Sequence, residues 1–124
     1  MKNLNYKNYK SKELKLMTSV LLEFSMFPTS PDGREGAGVS GYVSKVIDMI
    51  DQSGVAYQLT PMGTIIECDS MREALDVIEK AYDCLSSCER VYSSLKFDIR
   101  HGKSNRLKSK IDSVESVLGR EVKH

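Results

Sequence analysis

The sequence predicts an α+β domain whose segments alternate as strand, helix, strand, strand, helix, strand, followed by a third helix. Three observations carry this expectation. Apolar residues alternate with period two in four short segments, they recur with a helical period in three others, and Gly, Pro and Ser clusters separate the segments. The 124-residue length fits one domain.

Residues 1–15 hold Lys2, Lys7, Lys10, Lys12 and Lys15 among few apolar residues, and are expected to be a disordered basic arm. From Met17 to Ser25, Val20, Leu22 and Phe24 share one face while Leu21, Glu23 and Ser25 share the other. That is a strand with one apolar side. Met26 to Gly38 carries Pro28, Pro31, Gly33, Gly36 and Gly38 and reads as a long loop of the kind that often has a function. Val39, Tyr42, Val43, Val46, Ile47 and Ile50 form a helical stripe, stopped at Ser53-Gly54. Val55, Tyr57 and Leu59 alternate in a second strand, Pro61-Met62-Gly63 is a turn, and Thr64–Cys68 is the returning strand of a hairpin. Ser70 and Glu73 have the spacing of a capping box. Behind it run Met71, Ala74, Leu75, Ile78, Ala81, Tyr82 and Leu85 at helical spacing. Val91, Leu95, Phe97 and Ile99 mark a fourth strand. Leu107, Ile111, Val114 and Leu118 mark a third helix ended by Gly119, with residues 120–124 as a tail.

The expected architecture for residues 16–119 is therefore a ferredoxin-like βαββαβ sandwich, an antiparallel sheet with an extra C-terminal helix. Strands one and three are expected side by side in the centre, running parallel, with both main helices on one face. The other face is left open. It would carry Leu21, Glu23 and Ser25 from strand one and Tyr92, Ser94, Lys96 and Asp98 from strand four. The register of strand three, Glu67 or Thr64 and Ile66, stays open. Leu21, Ile65, Tyr92 and the third-helix stripe favour self-association through this face, as a dimer or higher oligomer.

A net charge of +1 argues against a dedicated nucleic-acid binder. Lys103–Lys110 adds a second basic cluster, read with the arm as solvated surface or as a weak phosphate-binding patch. No apolar run is long enough for a membrane span, no signal peptide is visible, and a cytoplasmic protein is expected. Cys68, Cys84 and Cys88 are expected as free thiols. Neither they nor His101 and His124 have zinc-site spacing. No cofactor motif or nucleophile elbow is present. Lys96 and Asp98 read as an acid–base pair or, more plainly, as an ordinary ion pair. With strands one and three parallel, Glu23 and Glu67 would share one sheet edge. There they would pair with Arg90 or bind a cationic or amine-bearing ligand.

Several runs resemble the YkoF-like thiamine-binding family. They are Glu23-Phe24-Ser25, Pro28, Val39-Ser40 with Tyr42-Val43, and Ser53-Gly54 before Tyr57 and Leu59. Thr60-Pro61-Met62-Gly63-Thr64, closed by Glu67, is the most specific; Arg90-Val91, Lys96-Phe97-Asp98-Ile99-Arg100 and Ser113-Val114-Glu115 with Leu118-Gly119 continue it. The resemblance implies a non-catalytic binder of thiamine or its pyrimidine moiety, built as dimers or tetramers through the sheets. Such a protein serves transport, salvage or buffering. Its pocket would lie between the sheet and the region before the first helix. The ligand contacts implied are Glu23 or Glu67 for the amino group, Ser25, Ser40 or Thr64 for ring nitrogens, Tyr42 for stacking, and Lys96. Three features depart from the family: the basic arm, Cys68 where a glycine is common, and a longer Thr29–Gly38 loop. The competing class is a protein- or RNA-interaction module on the same sheet, weakened because Phe24 would face the helices and strand three has no aromatic.

Overall fold

A computed structural model of the chain describes residues 18–29 and 40–124. The expected basic arm, the start of the first strand at Met17 and loop positions 30–39 lie outside these residues. The elements are β1 (Thr18–Pro28), α1 (Ser40–Ser53), β2 (Ala56–Thr60), β3 (Gly63–Cys68), α2 (Met71–Asp83), β4 (Val91–His101) and α3 (Arg106–Leu118), in the expected order.

β1 runs three residues past its expected end. Its ladder with β4 continues through Met26↔Ser93 and Phe27↔Tyr92 to Pro28↔Val91, whereas its ladder with β3 stops at Phe24↔Thr64. Beyond Phe24 the strand has a neighbour on one side only, the setting in which a sheet tolerates proline.

The sheet order is β2-β3-β1-β4, and every neighbouring pair is antiparallel. The expected parallel pairing of strands one and three is thus corrected. A helical crossover makes β1 and β2 run the same way. The β2–β3 hairpin then reverses the chain, and β3, lying between them, opposes both.

Directly opposed residues share a face of the sheet. Val20, Leu22 and Phe24 of β1 therefore lie in one row set with Ile66 and Cys68 of β3. This face packs against Val46 and Ile50 of α1 and Ala74, Val77 and Ala81 of α2. Leu22, Ile50 and Ile66 are wholly buried, and burying each side chain of this size contributes about 1.5–3 kcal/mol. Local chemistry closes the elements. Ser70 Oγ accepts the Glu73 N–H at 3.1 Å and caps α2. Gly54, at φ 79°, ends α1. Thr60 Oγ1 accepts the N–H groups of Met62 and Gly63 in the hairpin turn.

On the opposite face the register settles what the alternation left open. Ile65 and Glu67 lie beside Glu23 and Leu21 of β1, while Thr64 and Ile66 face the helices. Gln58 of β2 joins the same row as Ile65, and Ser94, Lys96 and Asp98 of β4 oppose Ser25, Glu23 and Leu21. Nor is the whole of this face open: α3 folds back and packs on β1 and β3.

Candidate functional site

The docking of α3 begins with an unusual start to the helix. Its N-cap, Asn105, sits in the left-handed region at φ 56° and makes no side-chain cap hydrogen bond. The first helical N–H groups need acceptors all the same. Glu67, reaching across from β3, supplies them: Oε2 accepts Arg106 N–H at 2.9 Å and Oε1 accepts Leu107 N–H at 3.1 Å. Ser19 Oγ–H donates to Oε2 at 2.6 Å. Desolvation pushes the Glu67 carboxyl up, but the Arg106, Ser19 and Leu107 hydrogen bonds together outweigh it, and the group sits below its ordinary value.

Arg106 completes the anchor. It is 4 % exposed. Its guanidinium donates to the carbonyl oxygens of Ser19 and Asp98, both at 3.1 Å, and pairs with the Asp98 carboxylate at 2.7 Å. Lys110, one turn on, reaches the same carboxylate oxygen at 2.8 Å. The hydrogen bonds from Arg106 and then Lys110 hold Asp98 down to about 2. An aspartate so acidic is fully ionised at neutral pH and has little capacity as a proton carrier. Lys96 does not pair with it but with Glu23, at 3.4 Å across the β1–β4 ladder.

Anchored in this way, α3 roofs a groove of about 380 Å³ over the sheet. Leu21 and Ile65 form its floor, Leu107 and Ile111 its roof, and Gln58 one wall. The Glu23–Lys96 pair stands at its end and belongs equally to a second depression of about 350 Å³, where Ser25, Ser94 and Met62 join it. The Ser25 and Ser94 hydroxyls are 3.3 Å apart. One charged pair therefore divides a mostly apolar compartment from a hydroxyl-lined one. The combined space is of the size that holds small organic ligands.

Of the residues singled out from the sequence, Glu23, Ser25 and Lys96 are brought together here. Glu67 is not at their side. Antiparallel pairing sets it opposite Leu21 rather than at the C-terminal edge shared with Glu23, and its carboxylate already receives three donors. The carboxylate partners are Lys96 and the α3 N-terminus, where the sequence pointed to Arg90. Thr64 lies on the helix side, 6 % exposed, in a third depression that also holds Val43 and Ile47 of α1. Tyr42 is on the helix side too, packed against the core with Lys45 Nζ 5.5 Å from its ring centre. Ser40 enters α1 by its backbone, and its side chain lies outside the described residues. Gln58, Arg106, Leu107 and Ile111 line the groove without being among the residues the sequence points to, while Ser94 lies on the open face as expected and Lys110 belongs to the second basic cluster. The helical stripe through Leu107 and Ile111 was visible, but nothing local shows that it returns to this face.

Cys68 packs in the core, 2 % exposed. Burial, and then the nearby Glu73, Asp69 and Glu67 charges, push its thiol up to about 12. This departure from the family pattern points away from the groove. Among the described residues no group of three or more His, Cys, Asp or Glu is placed to hold a metal. No helix among them is long and apolar enough to cross a membrane.

The fold and the ligand-sized groove on its sheet define a class of small ferredoxin-like domains. Within that class, the model of the family described as thiamine-binding protein matches residues 22–115. The chain belongs to this family. It is similar to a UPF0045 protein of Methanocaldococcus jannaschii, MJ1052, with 33 % identity over 99 residues, 79 % of this chain and 94 % of the relative. The crystal structure of that protein superposes with a TM-score of 0.65 at 32 % identity, covering 77 % of this chain and 95 % of the other. A Thermotoga maritima structure, described as a candidate thiamine biosynthesis or salvage protein, shares the fold. Its TM-score is 0.56 at 20 % identity, covering 77 % of this chain and 98 % of that one.

Proposed function

We propose that this protein binds, without transforming it, a small molecule of the thiamine type, an aminopyrimidine with or without a thiazolium ring. The observation that carries the reading is the two-compartment groove divided by Glu23 and Lys96. A half-exposed carboxylate whose one ion-pair partner among the described residues is an exposed lysine at 3.4 Å has acceptor capacity left for an exocyclic amine. Ser25 and Ser94 offer hydroxyls to ring nitrogens. Leu21, Ile65, Leu107 and Ile111 offer an apolar slot for a ring. Membership of a family named for thiamine binding and the salvage description of the Thermotoga protein support the same ligand class. Transport, salvage or buffering in the cytoplasm would suit such a binder.

Self-association accompanies this reading. Tyr92, Val114, Val117 and Leu118 are large apolar side chains exposed on β4 and α3, and a second copy across the uncovered part of the sheet would bury them.

The test is isothermal titration calorimetry with thiamine and with its isolated pyrimidine alcohol. Saturable binding is expected for both. Glu23→Gln, which keeps shape but loses charge, is expected to weaken it about tenfold or more, as for a charge-assisted hydrogen bond. Absence of heat and of any thermal shift at millimolar ligand would discard the reading.

A further inference from the structure

The apolar compartment carries a charge imbalance that a neutral pyrimidine leaves unanswered. Lys96, Arg106 and Lys110 line it against only Glu23 and Asp98. Glu23 is matched by Lys96. Asp98 faces two cations on one oxygen, Arg106 at 2.7 Å and Lys110 at 2.8 Å.

The two cations are not equivalent. The Arg106 side chain is 5 % exposed and is also held by the carbonyls of Ser19 and Asp98. It cannot leave without stranding buried acceptors. Lys110 is 59 % exposed and, among the described residues, is held by the Asp98 carboxylate alone. Glu67, the third carboxylate nearby, is taken up by the Arg106 and Leu107 N–H groups and by Ser19, and with Arg106 fixed on Asp98, Lys110 is the cation able to turn from that carboxylate into the groove. It stands on the groove side of α3, next to Ile111. Arg100, opposite Ser19 on the same face, adds positive potential at that end. The thiazolium of thiamine would aggravate the imbalance; an anionic substituent would relieve it.

We propose that the groove's preferred ligand is the phosphate monoester of the aminopyrimidine or thiamine, its phosphate held by Lys110 at the α3 end of the apolar compartment. This assignment rests on the ligand class proposed above. Glu23 and Asp98 stand two residues apart along the sheet, facing Lys96 and Leu21 respectively on their partner strands. That spacing is roughly 7 Å, the scale of one substituted ring. A ligand with its amine at Glu23 thus extends its substituent toward Lys110. A phosphate monoester carries nearly two negative charges at neutral pH. A lysine ammonium is a point charge well suited to receive them.

The experiment compares, by calorimetry on the full chain, thiamine with thiamine monophosphate and the pyrimidine alcohol with its phosphate ester. Each monoester is expected to bind about tenfold more tightly than its parent at low salt, the advantage shrinking as ionic strength rises. Lys110→Gln should bring the ratio of the two affinities toward one. Lys108→Gln is the control: this lysine pairs with Asp112 on the exposed side of α3, and its loss should keep the ratio. Thiamine binding with no preference for the monoester overturns the phosphate assignment and leaves the parent reading standing. An equal loss in both lysine variants overturns it too, because overall charge would then explain the preference. Failure of all four compounds to bind overturns the parent reading and this one with it.

Discussion

Glu67 shows how one side chain can hold together the architecture around a groove. Its two oxygens accept two backbone N–H groups and a hydroxyl, so it supplies from β3 the cap that Asn105 does not make. A negative charge at a helix N-terminus is favourable in its own right. Glu67→Gln keeps the size but replaces one acceptor with an amide donor that would face N–H groups. The expected cost is about 1–3 kcal/mol, read as a lower urea midpoint at pH 7. Amide exchange should quicken in α3 while the amides of Leu22 and Ile66 stay protected, since those strands do not depend on the cap. Uniform loss of protection would show that α3 is integral to the core.

Among the elements, the β2–β3 hairpin brings backbone close against backbone. Gly63 opens β3 just after the turn, and a Cβ there would lie 2.9 Å from the Phe24 carbonyl oxygen. That atom belongs to the central strand and cannot swing aside as a side-chain tip would. Gly63→Ala is therefore expected to push β3 away from β1 at the Phe24↔Thr64 end of their ladder. The cost should be about 1–3 kcal/mol in stability, as for other overpacked sites. Met62, which lines the hydroxyl compartment, would move with it. Thermal unfolding of the variant checks the first effect and ligand titration the second. By contrast Gly54 has open space around its missing Cβ. Its requirement is the positive φ alone.

For the molecule as a whole, acid is the condition that should separate α3 from the sheet. Glu67 and Asp98 both ionise at lower pH in the folded protein than ordinarily, Asp98 at about 2. A carboxyl with a depressed folded value contributes stability that is fully present above its unfolded value of about 4. That contribution declines as pH falls toward the folded value and is gone below it. Between about pH 4 and pH 2 the unfolded chain takes up these protons first, so stability should drop through that window. From pH 7 to pH 5 these two groups should contribute no slope. Urea midpoints measured from pH 7 to pH 2 test this. The double variant Glu67→Gln, Asp98→Asn should be less stable at neutral pH and show a shallower acid decline. An unchanged acid slope would mean that other carboxyls dominate.

The sequence by itself determined the element order, the buried row Val20, Leu22 and Phe24, the Ser70 cap and the hairpin turn. These depend on residues within a few positions of one another, where periodicity and turn chemistry act directly. It also carried family membership, through short runs in a fixed order. Only the tertiary structure decided the direction of β3 against β1, the extension of β1 to Pro28, and the fold-back of α3. Glu67 meets Arg106 across 39 residues, Ser19 meets Glu67 across 48, and Arg106 meets Ser19 across 87. No local window contains both members of such a pair. The groove exists because those three contacts close at once, bringing the stripe of Leu107 and Ile111 over Leu21 and Ile65. The apolar stripe on the C-terminal helix was legible as a surface needing cover, but what covers it is set by where a buried arginine and a distant glutamate can both be satisfied.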